Sequence, residues 1–214
     1  MEFSQETELQ ENEDDMKLGK MKYRGTIAVD IDGVIADCES KFCEDFGYDN
    51  RSEYSFFKRY PNVDPDLISE WLENPATYSD LAPIFGGTLL CRQAHQRGWY
   101  ILLVTARDKN LREVTRNWLS RYSVQYHEII FAKNKAEAIR DWENWNKDKP
   151  VSIVVDDCVE VLESMPEKYC VAWKQPWNKD RFDPYMFYST AHMKILLRTK
   201  PGAELVGVWD KAGK

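Results

Sequence analysis

Residues 26–34 read Thr-Ile-Ala-Val-Asp-Ile-Asp-Gly-Val, and this stretch decides the fold. The run 23–29 is rich in apolar and β-branched residues and predicts a buried strand that ends at Asp30. Similar runs recur at 99–105, 128–131, 151–155 and 169–173. Helical periodicity fills the gaps, at 88–97, 111–122, 135–145 and 159–165. This alternation predicts an α/β protein whose parallel sheet is covered by helices on both faces.

An aromatic-rich stretch, 39–83, interrupts the alternation directly after the first strand. It predicts a small helical cap inserted into a core formed by 21–38 and 84–200. Residues 1–20 carry seven acidic side chains against two lysines, a composition typical of a disordered tail. Residues 201–214 have no clear pattern and are treated as a C-terminal extension.

Composition narrows the class of protein. A length of 214 residues suits one domain with an insertion. No apolar run approaches the ~20 residues of a membrane span, and the acidic start is unlike a signal peptide. The 5 cysteines form no Cys-x-x-Cys pair, which favours a reducing cytoplasm over a zinc site. We therefore expect a soluble cytoplasmic protein.

Charge argues against long nucleic acid as a partner. The net charge is −7, and the seven acids and two lysines of 1–20 account for −5 of it. The rest of the chain is close to neutral and lacks a general basic footprint. A small ligand is the better expectation.

Polar residues follow the first four apolar runs, where the carboxyl ends of parallel strands form a ligand crevice. They are, in strand order, Asp30 and Asp32, then Thr105 and Arg107, then Lys133 and Lys135, and finally Asp156 and Asp157. Clustered carboxylates suit Mg²⁺, while a hydroxyl and a lysine suit phosphoryl oxygens. Alone, an Asp-x-Asp-Gly sequence is often only a turn, but the later motifs follow it in order. The sequence therefore predicts a Mg²⁺ and phosphate site.

These motifs resemble those of the haloacid dehalogenase superfamily of phosphatases, and the resemblance covers 25–173. It implies a Rossmann-like three-layer sandwich with Mg²⁺ as cofactor. By the same resemblance Asp30 is the nucleophile, Asp32 the general acid/base, and Thr105 a phosphoryl ligand. The implied metal-binding residues are Asp30, Asp32, Asp156 and Asp157, with Asp157 as the main ligand. Lys135 aligns with the family's lysine slightly better than Lys133.

A narrower resemblance is to the 5′(3′)-deoxyribonucleotidases, carried by 29–37, 105–107, 115–119 and 175–178. These enzymes commonly have a base-stacking aromatic residue where this chain has Cys38. We therefore predict that Phe56 or Phe57 of the cap stacks on the base. Arg107 and Lys133 are predicted to contact the substrate.

The predicted function is a Mg²⁺-dependent phosphomonoesterase of the 5′-nucleotidase type. Its substrates would be nucleoside or deoxyribonucleoside 5′-monophosphates, and its intermediate an aspartyl-phosphate. The alternatives are a polynucleotide 3′-phosphatase, a small-metabolite phosphatase, or a non-enzymatic receiver-like or inactive phosphate-binding module. In receiver domains the acidic pair precedes the phosphate acceptor, the reverse of the order here. Base and sugar preference stay open, as does a homodimer.

Overall fold

The computed structural model describes residues 23–47, 53–166 and 168–178, and the backbone of a short strand at 186–187. The strands are β1 (Thr26–Val29), β2 (Ala36–Asp37), β3 (Ala82–Pro83), β4 (Tyr100–Thr105), β5 (Glu128–Phe131), β6 (Val151–Asp156), β7 (Tyr169–Trp173) and β8 (Met186–Phe187). The helices are α1 (Cys38–Phe46), α2 (Phe56–Arg59), α3 (Pro65–Glu73), α4 (Pro75–Ser79), α5 (Phe85–Gln96), α6 (Arg112–Arg121), α7 (Lys135–Trp145) and α8 (Val159–Glu163). The predicted segments 1–20 and 201–214 lie outside the described residues.

The main sheet is parallel and has the strand order β5-β4-β1-β6-β7-β8. From the central strand β1 the chain moves to β4 and β5 on one side, then returns to β6 on the other side. Val29, at the end of β1, pairs in register with Leu103 on one side and Val155 on the other. Because the order reverses at β1, the crevice for a ligand lies at the carboxyl end of this strand.

Side chains of the central strands alternate between the two faces of the sheet. Ile27 and Val29 face a core that includes Leu90 of α5 and Trp118 of α6. Ala28 faces the opposite core, which includes Ile139 of α7. The predicted α/β class, with helices on both faces of a parallel sheet, is confirmed.

An inserted segment follows β1. Strands β2 and β3 pair antiparallel, and the described residues between them form helices α1 to α4. Phe42 of α1 stacks on Phe46 and Phe56 at ring distances of 4.4 and 4.2 Å. It also meets Tyr60 and Trp71 at 4.7 and 4.8 Å. These five aromatic residues of the segment 39–83 therefore pack against one another.

Helix α5 begins at Phe85, three residues before the periodicity predicts. Gly86 and Gly87 obscure the start, since glycine disfavours helix interiors. A Cβ at Gly87 would overlap the carbonyl group of Val34, so glycine allows α5 to approach that loop closely.

None of the helices in the described ranges combines the length and the apolar character that crossing a bilayer requires.

Candidate active site

Three buried carboxylates meet at the carboxyl ends of β1 and β6. One oxygen each of Asp30, Asp156 and Asp157 lies within 4.8 Å of the others. The loop that carries Asp30 is fixed at its start, because the Asp30 amide donates to the carbonyl of Val155 at 2.9 Å. The Asp30 side chain accepts a bond from the Ile31 amide at 2.7 Å. The two strand ends thus bring acids together that are more than a hundred residues apart in sequence.

Lys135 is the first residue of α7, and its buried ammonium group joins this cluster. Its Nζ lies 2.8 Å from Asp30 Oδ2 and 2.9 Å from Asp156 Oδ2. Asn134 caps the helix by accepting from the Glu137 amide at 3.2 Å, which fixes where α7 begins. Burial alone would lower the pKa of Lys135, but the charges of Asp156 and Asp30 raise it above its usual value. The lysine therefore stays charged.

A single lysine does not neutralise three buried acids. Burial raises the pKa of Asp30 to about 8, against the opposing charge of Lys135 and with further support from Asp156 and Asp32. Burial and the charges of Asp30 and Asp156 likewise raise the pKa of Asp157 well above its usual value. Asp157 Oδ1 is buried, and none of the described residues forms a hydrogen bond with it. A hard cation bound by oxygen ligands would resolve both features, so these residues fit Mg²⁺.

The raised pKa of Asp30 predicts the pH dependence of metal-free stability. Between the unfolded value of 3.8 and the folded value of about 8, the folded state binds more protons than the unfolded state. Stability in EDTA should therefore fall as pH rises through this window and then level off. Mg²⁺ should flatten the slope, because it favours the ionised carboxylates. Urea unfolding in EDTA at several pH values tests this, with Asp30→Asn as the control variant. If the free energy of unfolding depends on pH equally in wild type and in Asp30→Asn, the prediction is wrong.

Asp32 is held by Arg107. The guanidinium donates from Nε to Asp32 Oδ2 at 2.9 Å and from Nη2 to Oδ1 at 2.7 Å. Its Nη1 donates to Thr115 Oγ1 at 3.0 Å, and its Cζ lies 4.4 Å from the ring centroid of Tyr78. All three nitrogens of Arg107 thus bond to side chains of the protein, an arrangement suited to orienting Asp32.

Thr105 ends β4 beside β1, and its side chain is buried. Its Oγ1 accepts from the amide of Arg107 at 3.2 Å. The hydroxyl hydrogen is still available to donate, as a phosphoryl ligand requires.

Gly33 lies against the metal-binding acids. Its φ is +79°, a left-handed conformation, and a Cβ there would overlap the Asp157 carboxylate. Gly33→Ala should therefore displace Asp157 and abolish most of the Mg²⁺ affinity, measured by titration calorimetry. Gly47→Ala is the matched control, since φ is +66° and the space around it is open. If both variants bind Mg²⁺ with equal affinity, the close approach of Gly33 to Asp157 is not required for Mg²⁺ binding.

The loop 175–178 contributes contacts that motif spacing could not reveal. Asn178 Nδ2 donates to the carbonyls of Asp157 and Trp173, both at 2.8 Å. Gln175 Nε2 donates to the carbonyl of Gly33 at 2.6 Å. The sequence Gln-Pro-Trp-Asn signalled only a turn and a family resemblance. The structure shows that its side chains bond to the backbone of both acidic loops.

The remaining predicted substrate residues are not members of the buried acidic cluster. Lys133 is exposed, and the salt bridges to Asp30 and Asp156 in the described part of the chain come from Lys135. Phe56 packs in the aromatic cluster under Phe42, whereas the side chain of Phe57 is 45% exposed. Cys38 is buried at the start of α1. The geometry brings Lys135, and not Lys133, to Asp30.

No family model matches the sequence, and no curated protein matches it. Solved structures match in fold. A haloacid dehalogenase-like hydrolase from Streptococcus pneumoniae is 11% identical over 81% of this chain and 98% of its own, with a TM-score of 0.58. A dehalogenase with an intermediate complex is 9% identical over 83% of this chain and 98% of its own, with a TM-score of 0.57. Chains of a Pnkp1/Rnl/Hen1 RNA repair complex are 16% identical over 69% and 72% of this chain, each with a TM-score of 0.46; this chain spans only 42% and 47% of their length. The chain has the fold of the haloacid dehalogenase superfamily hydrolases.

Proposed function

We propose that the protein is a Mg²⁺-dependent phosphatase that hydrolyses phosphate monoesters with Asp30 as nucleophile. The observation that carries this proposal is the buried cluster of Asp30, Asp156 and Asp157 with Lys135, at the strand ends where the fold forms its crevice. An ordinary structural ion pair does not need three carboxylates beside one lysine. Nor does it explain why Asp157 Oδ1 has no hydrogen-bond partner among the described residues.

Asp30, Asp156 and Asp157 would hold Mg²⁺, which supplies positive charge to offset the acids and the phosphoryl oxygens. Lys135 is the other positive charge, and it bonds to Asp30 and Asp156 at the same time. Thr105 and Lys135 donate to the non-bridging oxygens of the phosphoryl group. These donors are fixed before substrate arrives, because both side chains are buried at secondary-structure ends.

The reaction proceeds in two displacements. A carboxylate oxygen of Asp30 attacks phosphorus, the new oxygen–phosphorus bond forms, and the ester bond breaks. Asp32 gives a proton to the leaving oxygen. A water molecule then attacks phosphorus, passes its proton to Asp32, and releases Asp30 and inorganic phosphate. Arg107 bonds to both oxygens of Asp32, and each of these oxygens keeps a second lone pair that can take the proton.

The proposed substrate class is nucleoside and deoxyribonucleoside 5′-monophosphates. The motif resemblance and the nearly neutral charge of 21–214 support a small nucleotide, and the inserted segment supplies aromatic side chains close to the site. Of the two phenylalanines predicted to stack on the base, Phe57 has the exposed ring. The ring of Phe56 already stacks on Phe42 at 4.2 Å, so we assign the stacking to Phe57.

A phosphatase panel tests this proposal. The purified protein would be assayed with ribo- and deoxyribonucleotides, sugar phosphates, 3′-phosphorylated DNA and p-nitrophenyl phosphate. We expect hydrolysis of the nucleoside monophosphates, complete loss in EDTA and recovery with Mg²⁺. If the protein prefers sugar phosphates or 3′-phosphorylated DNA, it is a small-metabolite phosphatase or a polynucleotide 3′-phosphatase and not a nucleotidase. Undiminished hydrolysis in EDTA would contradict the metal site.

A further inference from the structure

Trp177 contacts both the acidic cluster and the inserted segment. Its indole Nε1 donates to the carbonyl of Asp157 at 3.3 Å. The guanidinium of Arg59, in α2, lies 4.9 Å from the centroid of the indole ring. Tyr54, also in the inserted segment, contacts the same indole ring, with the ring centroids 6.2 Å apart and an interplanar angle of 62°.

On the core side, the backbone of Asp157 receives two side-chain donors. Asn178 Nδ2 bonds to the same carbonyl at 2.8 Å. The buried Oδ1 of the Asp157 side chain accepts no hydrogen bond from the residues that the structure describes. Trp177 and Asn178 therefore hold the backbone that carries this carboxylate.

On the side of the inserted segment, Arg59 is itself fixed. It bonds to both carboxylate oxygens of Glu39, with Nη2 at 2.7 Å from Oε1. It also donates to the carbonyl of Tyr54 at 3.2 Å. Burial and the negative charges of Asp157 and Asp30 raise the pKa of Tyr54 above its usual value. A displacement of α2 would remove the guanidinium from the indole.

We propose that Trp177 is a positioning residue for Asp157, and that the contact between Arg59 and Trp177 couples the placement of the inserted segment to Mg²⁺ affinity. This inference rests on the proposed metal-dependent function. Coupling between two sites is reciprocal. Mg²⁺ at the acids should therefore stabilise α2, and loss of the Arg59–Trp177 contact should weaken Mg²⁺ binding.

Titration calorimetry with Mg²⁺ alone tests one direction of the coupling. Trp177→Phe keeps a ring for Arg59 but loses the N–H donor, and we expect about 2- to 10-fold weaker Mg²⁺ binding, as for the loss of one hydrogen bond. Trp177→Ala should weaken it further. Arg59→Lys keeps the charge but not the planar guanidinium, and it should also weaken binding. Trp145→Phe is the matched control, because Trp145 is 89% exposed at the end of α7.

Hydrogen exchange tests the other direction. Mg²⁺ should slow exchange of the α2 amides, whose bonds run from Lys58 and Arg59 to the carbonyl of Ser55. Arg59→Lys and Trp177→Ala should remove this effect. If wild type binds Mg²⁺ but the Trp177 and Arg59 variants match Trp145→Phe in both measurements, the inference is wrong and the proposed function stands. If wild type binds no Mg²⁺, or Asp157→Asn binds it equally well, both are wrong.

Discussion

Asp30→Asn is expected to lower turnover of any phosphate monoester by several orders of magnitude, because an amide cannot attack phosphorus. The fold should survive this change. The pKa of Asp30 is raised to about 8 by burial and by the neighbouring acids, so removing its charge should not lower the stability of the metal-free protein. Steady-state kinetics and urea unfolding of the same preparation measure the two effects.

Two variants serve as controls for Asp30→Asn. Asp32→Asn should impair proton transfer, which is typically worth about 10²–10⁴-fold. Asp141→Asn makes the same chemical change at an exposed position of α7 and should leave activity unaltered. If Asp30→Asn retains activity near that of Asp141→Asn, Asp30 is not the nucleophile.

The second large effect concerns stability. Arg59→Met should destabilise the protein by about 3–5 kcal/mol, because it leaves the buried Glu39 carboxylate without its ionic partner. The free energy of unfolding would be measured in urea by circular dichroism. Because the cost comes from the isolated charge, the double variant with Glu39→Gln should recover part of it.

A surface ion pair in the same segment provides the control. Lys41 and Asp45 lie 2.6 Å apart, with side chains 26% and 34% exposed, and such pairs contribute about 0–1 kcal/mol. Lys41→Met should therefore cost much less than Arg59→Met. Equal costs for the two variants, or no recovery in the double variant, would contradict the assignment of the destabilisation to an uncompensated buried charge.

The strand ends made much of the site predictable. Each acid follows an apolar run, and the alternation of strands and helices requires these runs to lie parallel. The meeting of Asp30, Asp156 and Asp157 could therefore be predicted from the sequence. The sequence did not clearly distinguish Lys135 from Lys133 as the lysine of the site, because the two residues lie only two positions apart at the start of α7. Asn134 settles it by capping α7, which makes Lys135 the first helical residue.

Contacts between side chains that are distant in sequence could not be predicted in this way. Arg107 was predicted to contact the substrate, and that stays a prediction. Its bond to Asp32, 75 residues away, was not predicted from the sequence. The sequence showed that 39–83 is rich in aromatic residues, but not which rings are buried by packing and which are exposed. Phe56 and Phe57 were therefore equivalent candidates until the structure showed that Phe56 is packed and Phe57 is exposed. Trp177 belonged to an apparent turn, and only the fold places its indole between Arg59 and Asp157.

The most direct test of the central claim is to locate the phosphoryl group during turnover. The enzyme would be mixed with Mg²⁺ and a hydrolysed phosphate ester, quenched in acid, digested and sequenced by mass spectrometry. We predict phosphate on the peptide that carries Asp30, at Asp30, in wild type and its absence in Asp30→Asn. Phosphate on any other residue, or wild-type turnover with no phosphoenzyme at any quench time, would contradict nucleophilic catalysis by Asp30.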